Sequence, residues 1–384
     1  MMIYIICHYG EIGLKGKNRG FFEKKLVENI KTTLNKDFFN EVKRISGRLL
    51  IKLTAKGEEE REEIEKTLKK VFGLVYFAFA EREEQKIESI EKRAADLIRE
   101  KNFETFRVST QRSKKDFFLT SPEINEKVGG GLKKELNKRV DLENPDLTVF
   151  IEIVEKYAFL YLEKISGPGG LPVGVSGRAL CLISGGLDSP VAAWQMMKRG
   201  LKIVFIHFYA YVGDENKALE KIEKIASTLN QYQAKSRLYL IPFKRIQERI
   251  LKDNRYCCLC CKRLMFKIAE KIAQEENCQA LVTGDNLGQA ASQTIENISV
   301  IGKAVNLPVL RPLIGFDKQE IIEIAEEIGT YDLSCLPTEF YCQKLLPRHP
   351  ATKANLEKVE IIEKGLKIEK ISIESTEIKR VELR

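Results

Sequence analysis

Ala179-Leu180-Cys181-Leu182-Ile183, then Ser184-Gly185-Gly186-Leu187-Asp188-Ser189, then Pro190: this stretch decides the fold. Five apolar residues without polar alternation describe a strand covered on both faces, and a helical pattern from Pro190 to Arg199 follows the glycine turn. The same succession recurs downstream. Strands are expected at Lys202 to Phe208, Arg237 to Phe243 and Gln279 to Thr283, with helices at Glu215 to Leu229, Arg245 to Leu251, Lys262 to Glu276 and Asp317 to Ile328. Residues 178–384 therefore read as an α/β domain with a doubly wound, mostly parallel sheet.

Upstream the grammar changes. Residues 1–75 combine strands at Met2 to Cys7 and Arg48 to Leu53 with helices at Phe21 to Leu34 and Glu58 to Val71, a small α+β sandwich. Residues 76–165 form a second unit, with helices at Ile87 to Glu100 and Pro122 to Lys138 and strands at Glu104 to Thr110, Leu147 to Val154 and Ala158 to Glu163. Ser166-Gly167-Pro168-Gly169-Gly170-Leu171-Pro172 breaks every pattern, so 166–177 reads as a linker.

The 384 residues exceed one ordinary core, and 64 Lys+Arg against 55 Asp+Glu leave a net charge of +9 that suits a polyanionic partner. No apolar run is long enough for a signal peptide or a membrane span, which predicts a cytoplasmic protein with no membrane partner. Nine cysteines in that setting point to thiol chemistry or metal binding rather than structural disulfides.

A strand, a glycine turn and a helix start together place backbone N–H groups and a positive helix end where a polyphosphate can sit. Gly185 and Gly186 admit close approach of oxygen atoms, while Ser184 and Ser189 add hydroxyls. Neither Gly16-Lys17 nor Gly302-Lys303 is followed by Ser or Thr, so the usual P-loop lysine is missing. A carboxylate facing phosphates repels them unless a cation intervenes, which gives Asp188 to Mg²⁺ or to positioning the α-phosphate. The Gly284 turn follows an apolar strand and so falls at the carboxyl edge of the sheet, where open α/β folds bind ligands; Gln293 could reach the same edge.

Ser184 to Pro190 resembles the SGGxDS loop of the PP-loop ATP pyrophosphatases. Gly169-Gly170-Leu171-Pro172, Lys198-Arg199-Gly200, Thr283-Gly284-Asp285-Asn286-Leu287-Gly288-Gln289 and Arg311-Pro312-Leu313-Ile314-Gly315-Phe316-Asp317-Lys318 narrow the likeness to the tRNA 4-thiouridine synthetases, or tRNA sulfurtransferases. That resemblance covers essentially the whole chain. It implies a ferredoxin-like domain, a THUMP RNA-binding domain and a Rossmann-like PP-loop domain, and conversion of uridine 8 of tRNA to 4-thiouridine using ATP. It also implies contacts of ATP with Leu182, Ile183, His207, Phe208 and Lys262, beside Ser184, Gly185, Gly186, Asp188, Ser189, Gly284 and Gln293. His207 reads equally as the polar end of a strand. Lys318 reads either as a neutraliser of the leaving phosphate or as an exposed residue in a helix capped by Asp317.

Cys342, near Arg348 and His349, resembles the family's sulfur-handling cysteine and completes the catalytic set Asp188, Lys318 and Cys342. The chain stops at Arg384 without room for the rhodanese domain that some relatives append. The implied sulfur donor is then a cysteine desulfurase or separate sulfurtransferase, with Cys335 or another thiol resolving the persulfide, or sulfide arriving by another route. Cys257-Cys258-Leu259-Cys260-Cys261, read as lying just before a helix at Lys262, offers two overlapping C-x-x-C pairs. Relatives without rhodanese place such a pair and the loop cysteine around an iron–sulfur cluster, which would correspond to Cys258, Cys261 and Cys342.

The basic loop His8 to Gly20, with Lys15, Lys17 and Arg19, can hold phosphates or be a solvated loop. In the THUMP-like unit the candidate RNA contacts are Arg107, Gln111, Arg112, Lys114, Lys115, Lys133, Lys134 and Lys138. Gly129-Gly130-Gly131 would admit RNA or interrupt a helix. Two rivals differ in class. One is a PP-loop enzyme acting on a sulfur-carrier protein for thiamine thiazole synthesis, and the other is a non-catalytic tRNA-binding protein. A homodimer would suit a tRNA whose acceptor end is read on one chain and modified on another.

Overall fold

The computed structural model describes residues 3–113, 117–250, 255–337, 347, 349–365 and 378–383. The chain divides into two units, Met1–Pro172 and Val173–Arg384.

In the first unit β1 (Ile3–His8) has four consecutive buried residues and pairs antiparallel on both sides. After α1 (Arg19–Thr33) come β2 (Phe39–Ile45) and β3 (Arg48–Leu53), a hairpin over Ser46 and Gly47, then α2 (Ala55–Glu59) and α3 (Arg61–Leu68). The helix expected from Glu58 to Val71 is thus two helices broken at Glu60; Glu58 turns back to accept from the Ile3 amide at 2.9 Å. There follow β4 (Tyr76–Glu84), α4 (Ile87–Ile98), β5 (Thr105–Arg112), α5 (Ser121–Leu136), β6 (Arg139–Val140), β7 (Leu147–Val154), β8 (Tyr157–Tyr161) and β9 (Ile165–Ser166).

All nine strands form one sheet in the order β2-β3-β1-β4-β8-β7-β5-β6, with β9 on β4. The hinge of that order is β4, which pairs with β1 along Tyr76 to Glu81 and with β8 along Glu81 to Glu84. The 75/76 division therefore falls immediately before a strand shared by both halves. The segment expected as a linker starts inside this sheet: Ser166 pairs with Tyr76, and the Gly167 and Gly169 amides donate to Val75 and Leu74. Its glycines make turns against structure rather than a free tether.

α5 runs unbroken through Gly129-Gly130-Gly131 from a capping box of Thr120 and Glu123. A Cβ on Gly131 would meet the Glu91 carboxylate, the movable end of a side chain on α4, and the glycine run interrupts nothing.

The second unit begins with β10 (Arg178–Leu182), α6 (Asp188–Lys198), β11 (Lys202–Tyr209), α7 (Glu215–Asn230), β12 (Ser236–Pro242) and α8 (Lys244–Ile250). It continues with α9 (Cys257–Glu275), β13 (Ala280–Val282), α10 (Ile295–Gly302), β14 (Val309–Leu310), α11 (Lys318–Glu327), α12 (Tyr331–Cys335), α13 (Leu356–Gly365) and β15 (Lys379–Leu383). The sheet order is β14-β13-β10-β11-β12-β15; only β15 runs antiparallel. Ile203, Val204, Phe205 and Ile206 are all buried, as both-faced covering demands, each contributing ~1.5–3 kcal/mol.

Cys257 to Cys261 do not precede the helix; they are its first turns. Cys257, Cys260 and Cys261 pack into the domain core, and that apolar face lets α9 start five residues earlier than the Lys262 pattern suggested.

Candidate functional site

From β10 the chain steps to β11 and β12 on one side, then returns to place β13 and β14 on the other. The order reverses between β10 and β13. The crevice beyond the carboxyl ends of such neighbours is where open α/β sheets take ligands, and two glycine turns meet there, Ser184 to Leu187 after β10 and Gly284 to Gly288 after β13.

The first turn is braced by its own serines. The Ser184 amide donates to Ser189 Oγ at 2.7 Å, the two hydroxyls lie 3.0 Å apart, and the Gly186 amide donates to Ser184 Oγ at 3.3 Å. This leaves the loop at the N-terminus of an eleven-residue helix, a site suited to anions. Gly284 is needed for a steric reason: a Cβ there would stand 2.6 Å from the Ser189 amide nitrogen and 2.7 Å from the Asp188 carbonyl carbon.

Asp317 caps α11 in a capping box, accepting from the Glu320 amide at 2.9 Å while Glu320 accepts from the Asp317 amide at 2.8 Å. Capping places Lys318 at the first helical position, from which its Nζ reaches Asp188 Oδ1 at 2.9 Å. The two accounts of Lys318 are thus compatible, and two residues 130 apart in sequence become an ion pair at the loop.

Behind the pair lies a second charge cluster. Asp285 is buried and meets Lys262 Nζ at 3.0 Å, Thr283 Oγ1 at 2.9 Å and Arg311 Nε at 3.4 Å. Burial alone would raise its carboxyl; the Lys262 charge and hydrogen bond outweigh that and hold it below the usual carboxylate range. Lys262 is therefore tied to a carboxylate. Gln293 donates its amide to Ala290 and offers its carbonyl to Gly288, and its buried Oε1 has no hydrogen-bond partner among the described residues.

Leu182 ends β10 and Ile183 continues it, its amide donating to Ile206 at 2.8 Å. His207 and Phe208 lie at the same edge on β11. The His207 imidazole is 2 % exposed, with Nδ1 donating to the Ile183 carbonyl at 2.7 Å and Nε2 accepting from the Tyr211 hydroxyl at 2.6 Å. Burial lowers its pKa to about 4, so the ring is neutral near pH 7. Its side chain braces the strand end.

Cys258 is half-buried on the first turn of α9, its sulfur 3.9 Å from that of Cys257. The Cys257 hydrogen bond pulls its pKa down to about 7 against burial, with help from Lys262. Cys261 is one turn further along and buried. Cys342 lies outside the described residues, as do Arg348, Lys114 and Lys115. Among the described residues no three His, Cys, Asp or Glu side chains gather as a metal cage, and none of the eight described cysteines is in a disulfide.

Of the RNA candidates in the first unit, Lys17, Lys133, Lys134 and Gln111 are exposed. Lys15 stacks over the Phe22 ring, and Arg19 pairs with Glu23 at 2.8 Å. Arg107 donates to Thr148 and Leu142, Arg112 to Phe117 and Leu119, and Lys138 pairs with Glu104.

Sequence reading missed Lys221, Ser334 and Tyr211 and placed Arg311 in a motif without a role; all four reach this edge. Lys221 sits among other lysines on α7, and its pattern alone is that of an ordinary helix surface. A cavity of about 560 Å³ opens beside it, lined by Tyr211, Lys217, Leu336 and Pro337 among others.

Comparison with known proteins agrees along the chain. The model of the thiamine biosynthesis protein (ThiI) family matches residues 174–368, that of the ThiI ferredoxin-like domain residues 4–78, and that of the THUMP domain residues 84–163. A probable tRNA sulfurtransferase of Caldanaerobacter subterraneus subsp. tengcongensis is 45% identical over 359 residues, 92% of this chain and 93% of the relative. One from Methanocaldococcus jannaschii is 42% identical over 378 residues, 95% and 97% of the two chains. The crystal structure of a 4-thiouridine synthetase–RNA complex with bound ATP superposes with a TM-score of 0.87 at 34% identity, covering 99% of this chain and 100% of that one. Among the described residues no helix is long and apolar enough to cross a membrane.

Proposed function

The chain belongs to the tRNA sulfurtransferase (ThiI) family, and on that premise we propose that it replaces O4 of uridine 8 in tRNA with sulfur at the expense of ATP. The observation that carries the reading is the Asp188–Lys318 pair, 2.9 Å apart at the mouth of the serine-braced phosphate loop. The ATP phosphates lie on the Ser184 to Ser189 amides. Uracil O4 attacks the α-phosphorus, pyrophosphate leaves, and Lys318 shifts from Asp188 towards the charge that builds on the departing phosphate. A carbonyl oxygen is a poor leaving group, whereas AMP is a good one.

The terminal sulfur of a persulfide on Cys342 then attacks C4, and the C4–O4 bond breaks with AMP. A second thiol, Cys335 or another, cleaves the remaining S–S bond, leaving 4-thiouridine and a protein disulfide that an external dithiol reduces. A cysteine desulfurase or separate sulfurtransferase supplies the persulfide sulfur.

Asp188 and the Ser184 and Ser189 hydroxyls are hard oxygen donors of the kind Mg²⁺ takes. With no carboxylate cage among the described residues, the ion would be shared chiefly with the nucleotide phosphates and water, where it offsets phosphate charge. In the alternative to a persulfide on Cys342, Cys258 and Cys261, soft donors on one helical face, would hold an iron–sulfur cluster together with Cys342; bound there it would supply metal-held sulfide. Anaerobic reconstitution should give a visible chromophore that Cys261→Ala loses, and a colourless wild type would remove the cluster from the reading.

The family model's description as a thiamine biosynthesis protein favours one second reading, sulfur transfer to a sulfur-carrier protein for thiazole synthesis. Thiolation of tRNA with ATP, Mg²⁺ and a sulfur donor, followed by near-ultraviolet absorption, tests the main reading. Asp188→Ala should abolish product; product at the wild-type rate would refute the site.

A further inference from the structure

Lys221 belongs to neither the glycine loop nor the ion pair beside it. It lies on the inner face of α7, 6 % exposed, and its Nζ donates to the Ser334 carbonyl at 3.0 Å and the Leu336 carbonyl at 2.7 Å. The end of the same side chain rests on the phosphate loop: a Cβ at Gly185 would stand 3.3 Å from Lys221 Cε and 3.4 Å from Nζ. A second tie runs in parallel, Ser334 Oγ donating to the Gly186 carbonyl at 3.4 Å. The carboxyl end of α12 is thereby registered on the two glycines of the nucleotide loop.

Burying an ammonium is unfavourable until its partners offset the loss, and an apolar side chain of equal length would fill the space without that cost. Desolvation accordingly lowers the Lys221 pKa. What the charge achieves is directional: main-chain carbonyls at a helix end carry partial negative charge, and a lysine holds two of them in fixed relation to Gly185. Leu336 is followed six positions later in sequence by Cys342.

We propose that Lys221 is a positioning residue for sulfur transfer, holding Ser334 and Leu336, from which the sequence runs on to Cys342, against the loop that activates the uridine. The inference rests on the function proposed above. Its substance is coupling: Lys221 governs what fraction of the activated uridines receives sulfur.

The test measures two products from the same reaction, pyrophosphate and 4-thiouridine, in wild type, Lys221→Met, Ser334→Ala and Cys342→Ala. Lys221 touches Gly185, so some loss of tRNA-stimulated pyrophosphate release is expected of Lys221→Met, and the proposal is read from the product ratio of that variant. Its thiouridine formed per pyrophosphate should fall about tenfold or more, the scale of an ångström-level misplacement of a reacting group. Ser334→Ala, at a partly exposed position, should lower the same ratio to a smaller extent. A raised KM with both products falling in proportion would show that Lys221 merely supports the loop, and an unchanged ratio would equally overturn the proposal. If Lys221→Met does not fold, Ser334→Ala decides, since a wild-type ratio there removes the registration. A wild type that forms no thiouridine, or a Cys342→Ala variant with full coupling, overturns the underlying function and this inference with it. Normal wild-type thiolation with an unaltered Lys221→Met ratio sinks the inference alone.

Discussion

At the scale of the residue, His207 shows how a side chain beside the proposed nucleotide loop can be wholly occupied with structure. Its donor nitrogen fixes the Ile183 carbonyl one residue before Ser184, and its acceptor nitrogen takes the Tyr211 hydroxyl. The bond accepted from Tyr211 requires the neutral ring, because Nε2 must keep its lone pair. In the unfolded chain a histidine takes up a proton below its ordinary pKa near 6.5, while the folded ring resists until about pH 4. The folded pKa is depressed, so the stability linked to His207 is complete above pH 6.5 and is lost as pH falls through the interval to 4. The loss should reach about 3 kcal/mol by pH 4. Urea unfolding between pH 7 and 4.5 should therefore show a steeper pH slope in wild type than in His207→Gln, by close to one proton. Equal slopes would assign the effect to another group.

At the scale of the element, the site is a junction between the turn after β13 and the start of α6, and its tightest contact predicts a mutant. Gly284→Ala would press a methyl group against the Ser189 amide and the Asp188 carbonyl carbon, main-chain atoms that have no rotamer in which to retreat. Overpacking of this kind costs about 1–3 kcal/mol, and here it falls on the residues that shape the proposed phosphate loop. ATP affinity measured by calorimetry should drop about tenfold or more, 1.4 kcal/mol being a factor of ten. Wild-type affinity in a folded Gly284→Ala variant would mean the loop does not depend on this contact.

Such junctions also mark how far the sequence could be read. The run from Ala179 to Pro190 was legible because a strand covered on both faces and a glycine turn each leave a local signature. The helices α6, α7 and α11 announced themselves by apolar spacing. Cys257 to Cys261 misled because cysteine is apolar enough to open a helix yet reads as a motif. β4 went unseen although Tyr76 to Ala80 is aromatic and apolar, since its meaning lies in pairing with β1 and β8 together. Lys221 and Ser334 were illegible for a stronger reason: their partners are main-chain carbonyls, which carry no sequence signal at all.

At the scale of the whole molecule, the first unit poses the question of whether its ferredoxin-like and THUMP halves fold as one body, and the buried charge at its centre answers it. Glu152 on β7 is 1 % exposed and meets His8 Nε2 of β1 at 2.8 Å, Arg48 Nε of β3 at 2.9 Å and the Tyr161 hydroxyl of β8 at 2.8 Å. Burial alone would raise this carboxyl; the His8 and Arg48 contacts outweigh it and keep it ionised below the ordinary range. The network crosses β4, joining strands of one half to strands of the other. Removing the carboxylate would leave Arg48, itself 4 % exposed, as an unpaired buried charge, at a cost of about 3–5 kcal/mol. Glu152→Ala should therefore accelerate amide hydrogen exchange in β3 and in β7 together, while Arg48→Met combined with Glu152→Leu should recover most of the protection, because an apolar pair has no charge to strand. Faster exchange confined to β7 and β8 would mean that the two halves unfold separately, and that the continuity of the sheet through β4 is geometric without being cooperative.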